Sequence, residues 1–213
     1  ASPVGRRKGY VSVTGEFEMG DDLSRFTSIV ATTSPSFVML SSPGGAIYKA
    51  MELGRLIRQH GLPTIALKPS DCVSACVLAF MGGIERYAEP GVIGVHRASF
   101  AKEAAIGGQE ATAAIQQITA DIMTYISAMG ADPSLLQVAY NYDSADMRYL
   151  SKSEMKRYRV TTIDEIGKPP ETVEQSTQSP QTVSAPSSQP SSATPSIAEG
   201  AVKPALPVAR TGQ

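Results

Sequence analysis

Two short apolar runs enclose a stretch with helical spacing. The runs are 37-FVMLSSPGG-45, closed by a Pro-Gly-Gly turn, and 62-LPTIALK-68. Between them Ala46, Ile47, Ala50, Leu53 and Ile57 share one face, while Lys49, Glu52, Arg55 and Arg58 point away from it. Gly61 supplies a C-terminal stop. Strand, helix and strand in that order make a βαβ unit, with parallel strands and a right-handed crossover. That unit confines the chain to an α/β architecture.

The flanking sequence extends the pattern. Residues 10-YVSVTGEF-17 alternate as a strand does, and Leu23 to Val30 have helical spacing behind Asp21 and Asp22. The run 71-DCVSACVLAFMGG-83 is apolar on every side, which predicts a short buried helix. Residues 86-RYAEPGVIGVH-96 read as a strand broken at Glu89-Pro90-Gly91. A loop at 100–108 precedes a helix over 109–129, with a stripe including Ala111, Ile115, Ile118, Ile122 and Ile126. Asp132-Pro133 opens a further helix, and 146–158 hold a short strand and a helix capped by Ser151 or Ser153. Residues 159-RVTTI-163 are expected to add a last strand. The domain plan is then a frayed N-terminus over 1–8, an α/β domain over 9–167 and a disordered Pro/Ser/Thr-rich tail over 168–213.

The chain has 213 residues and a formal net charge of −1, and its basic cluster Arg6-Arg7-Lys8 is terminal. No nucleic-acid surface is expected. No apolar run approaches the ~20 residues of a membrane-spanning helix. Cys72, Cys76 and His96 have no standard zinc spacing, so neither metal nor cofactor is expected.

Chemistry concentrates at four places. Ser74 stands at the mouth of the apolar run, where helix-end N–H groups lack partners. It suits a nucleophile or an anion contact, or else a small helix cap. Gly44-Gly45 end one strand and open a helix, a geometry able to hold an anion or an oxyanion. His96 follows the strand 92-VIGV-95 at its carboxyl end, where ligands gather in α/β sheets. His60, beside Gly61 at a helix end, reads as structural. Cys72 and Cys76 are either a disulfide that would brace the Ser74 loop or two small buried hydrophobes.

Taken together, Ser42-Pro43-Gly44-Gly45, then Ser74-Ala75 opening an apolar helix that ends at Gly82-Gly83, then His96 after 22 residues, resemble the Clp protease proteolytic subunit and its ClpP/crotonase-fold relatives. The block 148-RYLSKSEMKRYRVTTID-164 is similar to another of that family's segments. The set is most similar to an exported bacterial branch of ClpP-like proteins. The resemblance implies a fold of repeated β-β-α spiral units with a mostly parallel sheet and flanking helices. It implies an ATP-independent endopeptidase with Ser74 as nucleophile and His96 as general base. Backbone N–H groups of Gly45 and Ala75 would form the oxyanion hole, on a turn supported by Pro43 and Gly44. The family's acid position is Met147 here, so the third member is Asp146, Asp143 or absent. A degenerate scaffold binding a peptide, acyl group or envelope protein is the alternative, and crotonase-like acyl-CoA chemistry a weaker one. The resemblance also implies homo-oligomers and a peptide or protein substrate. Together with the start at Ala1 and the paired cysteines, it implies a periplasmic or otherwise exported protein whose signal peptide has been removed.

Overall fold

The computed structural model describes residues 9–98, 108–143 and 145–166. The expected frayed N-terminus over 1–8 and the tail over 168–213 lie outside the described residues, as does most of the loop at 100–108. The described part is an α/β domain with a largely parallel sheet.

The predicted βαβ unit is β2 (Val38–Ser41), α2 (Ile47–Gln59) and β3 (Thr64–Ala66). Before it come β1 (Val11–Thr14) and α1 (Ser24–Thr33). After it come β4 (Cys72–Val73), α3 (Cys76–Met81), β5 (Arg86–Ala88) and β6 (Ile93–Val95). The chain continues through α4 (Gly108–Ala128), α5 (Leu135–Ala139), β7 (Arg148–Tyr149) and α6 (Lys152–Arg157). One sheet has the order β1-β2-β3-β5, parallel throughout. A second has the order β4-β6-β7, with β4 and β6 parallel and β7 antiparallel to β6. A parallel bridge between Ser42 and Cys72 joins the end of β2 to the start of β4.

Three elements differ from expectation. The break at Glu89-Pro90-Gly91 is more than a kink: it sends β5 to one sheet and β6 to the other. Gly91 has φ +80°, a left-handed turn that suits glycine. Residues 159–163 form no strand. Arg159 turns left-handed at φ +51°, and Thr162 and Ile163 both donate N–H groups to the one carbonyl of Arg86 instead of building a ladder. In α4 the apolar stripe reaches the body only toward its C-terminal end, where Ile122, Tyr125 and Ile126 are buried; Ile115 is exposed.

Helix α3 is the centre of the core, with all six residues buried. It lies so close to α2 that a Cβ on Gly82 would overlap the backbone of Gly54. A Cβ on Gly54 would in turn overlap the Tyr125 hydroxyl, which donates to the Leu78 carbonyl at 2.8 Å. Burial raises the Tyr125 pKa well above the phenol range. Gly82→Ala is therefore expected to cost about 1–3 kcal/mol through overpacking, measured as a lower midpoint in chemical denaturation.

At the far end, Ser151 and Glu154 form a capping box on α6, and Arg148 of β7 pairs with Glu154. The Ser151 N–H and hydroxyl hold the Glu154 carboxyl below its usual range, with Arg148 adding to the effect. Its folded pKa is depressed, so its contribution is present above the unfolded value and is lost as pH falls through the folded one. Ser151→Ala is expected to lower stability by ~1 kcal/mol near neutral pH. The difference from wild type should shrink on acidification, which denaturant titrations at two pH values check.

Candidate functional site

Three neighbouring strands deliver the site. Strand β2 ends at Ser41, and the Ser42-Pro43-Gly44-Gly45 turn follows. Strand β4 ends at Val73, and Ser74 follows. Strand β6 ends at Val95, and His96 follows. The bridge from Ser42 to Cys72 and the register of Val73 with Gly94 align these carboxyl ends. A parallel set of strands puts everything leaving its carboxyl edge on one side. Ser74 therefore comes beside the Gly44 turn and into one cavity with His96 for a topological reason.

Ser74 has φ +57°, a left-handed conformation that costs an L-residue roughly 1–2 kcal/mol. Its neighbours enforce it. The Ser74 N–H donates to the Gly94 carbonyl at 2.9 Å, and the Val77 N–H donates to the Ser74 carbonyl at 3.1 Å. Ser74 is not the helix cap; the cap position is Ala75, and no side chain caps α3. The serine hydroxyl is thereby free of that duty. Cys72 and Cys76 are joined by a disulfide that spans the turn.

The Pro-Gly-Gly turn lies directly against Ser74. A Cβ on Gly44 would stand 2.6 Å from Ser74 Cβ and 3.0 Å from both Ser74 Oγ and the Ala75 nitrogen. Gly44 has φ +107° and Gly45 +117°, so the turn needs glycine on two grounds. The buried Ser42 hydroxyl accepts the Gly44 N–H at 3.1 Å and fixes the turn. The Gly44 carbonyl accepts from Phe17, and the Ala46 N–H donates to the Phe17 carbonyl, so both sides of Gly45 are anchored. Among the described residues the N–H groups of Gly45 and Ala75 have no acceptor. Ala75 is buried, and a buried backbone N–H without a partner is rare.

His96 is half-buried, as is Ser74. Its Nδ1 lies 2.7 Å from the carbonyl oxygen of Arg97. A carbonyl only accepts, so Nδ1 is the donor, and in the neutral imidazole this tautomer leaves the lone pair on Nε2. Ser74 and His96 line one cavity of about 70 Å³, walled by apolar side chains including Ile47, Val77, Leu78, Met81, Ile122 and Leu136. No Ser74–His96 hydrogen bond occurs among those of the described residues. Such bonds are often loose before a substrate is bound.

Asp143 is ion-paired with Arg97, both side chains being largely exposed. Asp146 is exposed and folds back through its N–H onto the Asp143 carbonyl at 2.9 Å. Met147 packs on β6, where a Cβ on Gly94 would come within 2.8 Å of its Cγ. The described residues thus bring neither aspartate into a hydrogen bond with His96. His60 is remote in role: it ends α2 and meets Phe26 edge-on at 6.3 Å. No group of three metal-ligating side chains occurs among the described residues.

Sequence reasoning gave no role to Ser42, to the Arg97 carbonyl or to the α4 and α5 walls of the cavity. Ser42 had a signal, since a hydroxyl residue two before a glycine turn commonly takes that N–H. A backbone carbonyl has none.

No family model matches the chain, and no curated protein matches it. Solved protease structures do. A mutant of the 1510-N membrane-bound stomatin-specific protease is similar at 19% identity and a TM-score of 0.52, covering 74% of this chain and 79% of that one. A second mutant of that protease, in complex with a substrate peptide, matches at the same identity and TM-score over 74% and 75%. A mutant ClpP1 from Listeria monocytogenes matches at 16% identity and a TM-score of 0.52, over 71% and 88%. At this identity the likeness is one of fold: a distant relationship to protease-associated α/β folds.

Proposed function

We propose that this chain is a serine hydrolase of the ClpP/crotonase spiral type, an endopeptidase that cleaves peptide bonds without ATP. The observation that carries the reading is the placement at one carboxyl edge of Ser74, His96 and two N–H groups that have no acceptor among the described residues. In the first step Ser74 Oγ attacks the scissile carbonyl carbon, and its proton passes to His96 Nε2. The carbonyl oxygen gains the charge and is met by the Gly45 and Ala75 N–H groups. His96 then returns the proton to the leaving amine as the C–N bond breaks. Water, deprotonated by the same nitrogen, then attacks the acyl carbon, and the proton passes to Ser74 Oγ as the ester C–O bond breaks. The Arg97 carbonyl takes the orienting role that a carboxylate plays in a triad. The apolar cavity suits an apolar side chain on the acyl side of the cut.

The site is read as working in an exported homo-oligomer, with Ile115 exposed on α4 as a surface for association. Light scattering on the folded chain checks the assembly. The second reading is a scaffold that binds peptides or acyl groups without cleaving them, and it is favoured by the lack of a hydrogen bond from either aspartate to His96 among the described residues. A fluorophosphonate probe separates the two. Labelling of the wild type that disappears in Ser74→Ala, with hydrolysis falling at least about a thousandfold, supports the hydrolase. No Ser74-dependent labelling, with peptide binding intact, supports the scaffold.

A further inference from the structure

We infer that the Cys72–Cys76 disulfide is a positioning brace for Ser74, holding the nucleophile's turn in its left-handed conformation. The inference rests on the hydrolase reading above. Three contacts already bear on Ser74: its N–H on the Gly94 carbonyl, its carbonyl on the Val77 N–H, and Gly44 against its side chain. Each of these acts on one side of the turn. The disulfide alone joins both sides, the last strand segment before Ser74 and the first helical residue after it.

The Cα atoms of Cys72 and Cys76 are 5.3 Å apart, across a turn whose central residue is Ser74. An extended chain of that length would span roughly 13 Å. Without the bond, Ser74 can relax toward the right-handed region that most residues prefer. Relaxation would move Oγ within the cavity that Ser74 shares with His96 and shift the Ala75 nitrogen from its place beside Gly44. Strained residues persist only where their surroundings over-determine them, and the bond is the additional constraint here.

The short ring argues for position rather than global stability. Cross-link stabilisation grows with the length of the loop closed, and this loop is among the shortest possible. Helix α3 is buried along its whole length, and Cys72 is held by its N–H on the Val92 carbonyl at 3.0 Å. Both elements keep their places when the bond is absent. Both cysteines are fully buried, which shields the bond from solvent thiols in the folded chain.

The experiment compares the oxidised wild type with a Cys72→Ala/Cys76→Ala variant. Wild type refolded and kept in a phosphine reductant is a third preparation that retains every side chain. Labelling by the fluorophosphonate, peptide hydrolysis and amide exchange at Ser74 are read on all three. Expected without the bond are a kcat lower by about 10- to 100-fold and a KM within about threefold. The Ser74 amide should exchange at least about tenfold faster, with the Phe80 amide unchanged. An unchanged kcat and unchanged Ser74 exchange overturn the brace. So does a uniform rise in exchange across α3, which would mean general destabilisation. An unlabelled wild type overturns the hydrolase reading instead, and Ser74 exchange then decides by itself whether the bond braces the turn.

Discussion

His96→Ala is expected to lower hydrolysis by about a hundred- to ten-thousand-fold, the range of a lost general base. Asp143→Asn and Asp146→Asn should each leave it within about fivefold, since an exposed ion pair contributes at most ~1 kcal/mol. The contrast follows from the partner of Nδ1. In a Ser-His-Asp triad the carboxylate fixes the tautomer and stabilises the imidazolium. Here the Arg97 carbonyl, 2.7 Å away, fixes the tautomer but brings only a dipole to the imidazolium. The basal rate should therefore be lower than that of a full triad and indifferent to both aspartates. Steady-state hydrolysis of one peptide by the three variants checks this. If either aspartate variant loses as much as His96→Ala, the bound state recruits that carboxylate, and the carbonyl is only a resting partner. Asp143 would then have to leave Arg97, whose own N–H is held by the Tyr142 carbonyl at 2.9 Å.

Much of this was legible in the residue order, for identifiable reasons. The βαβ unit and α4 were readable because periodicity carries over whole turns. Gly44 and His96 each follow an apolar run and Ser74 opens one, but it is the resemblance of the three motifs as a set to the ClpP/crotonase fold that groups them. Other features left no such trace. Strands β4 and β7 have two residues each, too few for alternation to show. The division of 86–96 between two sheets depends on which neighbours each half finds, and local sequence is silent on that. Residues 159–163 looked like a strand because Val160 and Ile163 are apolar, yet Arg159 turns the chain and one carbonyl takes two of its N–H groups. The partner of His96 is a peptide oxygen that every residue has. Arg86 reads as an ordinary charged end of a strand, and its role appears only in three dimensions.

Arg86→Met is expected to destabilise the fold severely. Arg86 is 2% exposed, and no carboxylate among the described residues pairs with it. Its guanidinium instead donates to the carbonyls of Gly83, Met129, Arg159 and Val160 at 2.8–3.1 Å. These oxygens belong to chain leaving the C-terminal ends of α3, α4 and α6. Helix C-termini carry partial negative charge, so three converging ends compensate the cation in place of a carboxylate. Arg58 reinforces the cluster, donating to the Gly82, Met81 and Met129 carbonyls. Burial, with Arg58 nearby, lowers the Arg86 pKa to about 10, which still leaves it charged at neutral pH. Below about 10 both folded and unfolded states hold the proton, so the cluster adds no pH dependence in the physiological range. Methionine fills much of the volume but donates nothing. The buried Gly83 and Val160 carbonyls would lose their donor, each costing about 1–3 kcal/mol, while Met129 keeps Arg58 and Arg159 is exposed; the sum is a large share of the about 5–15 kcal/mol of a domain. Arg58→Met should be milder, because Arg58 is only half-buried and Arg86 still donates to the Met129 carbonyl. Near-ultraviolet circular dichroism and urea titration of the two variants check the order. A cooperative Arg86→Met transition close to that of wild type would mean that the three helix ends hold together without the cation.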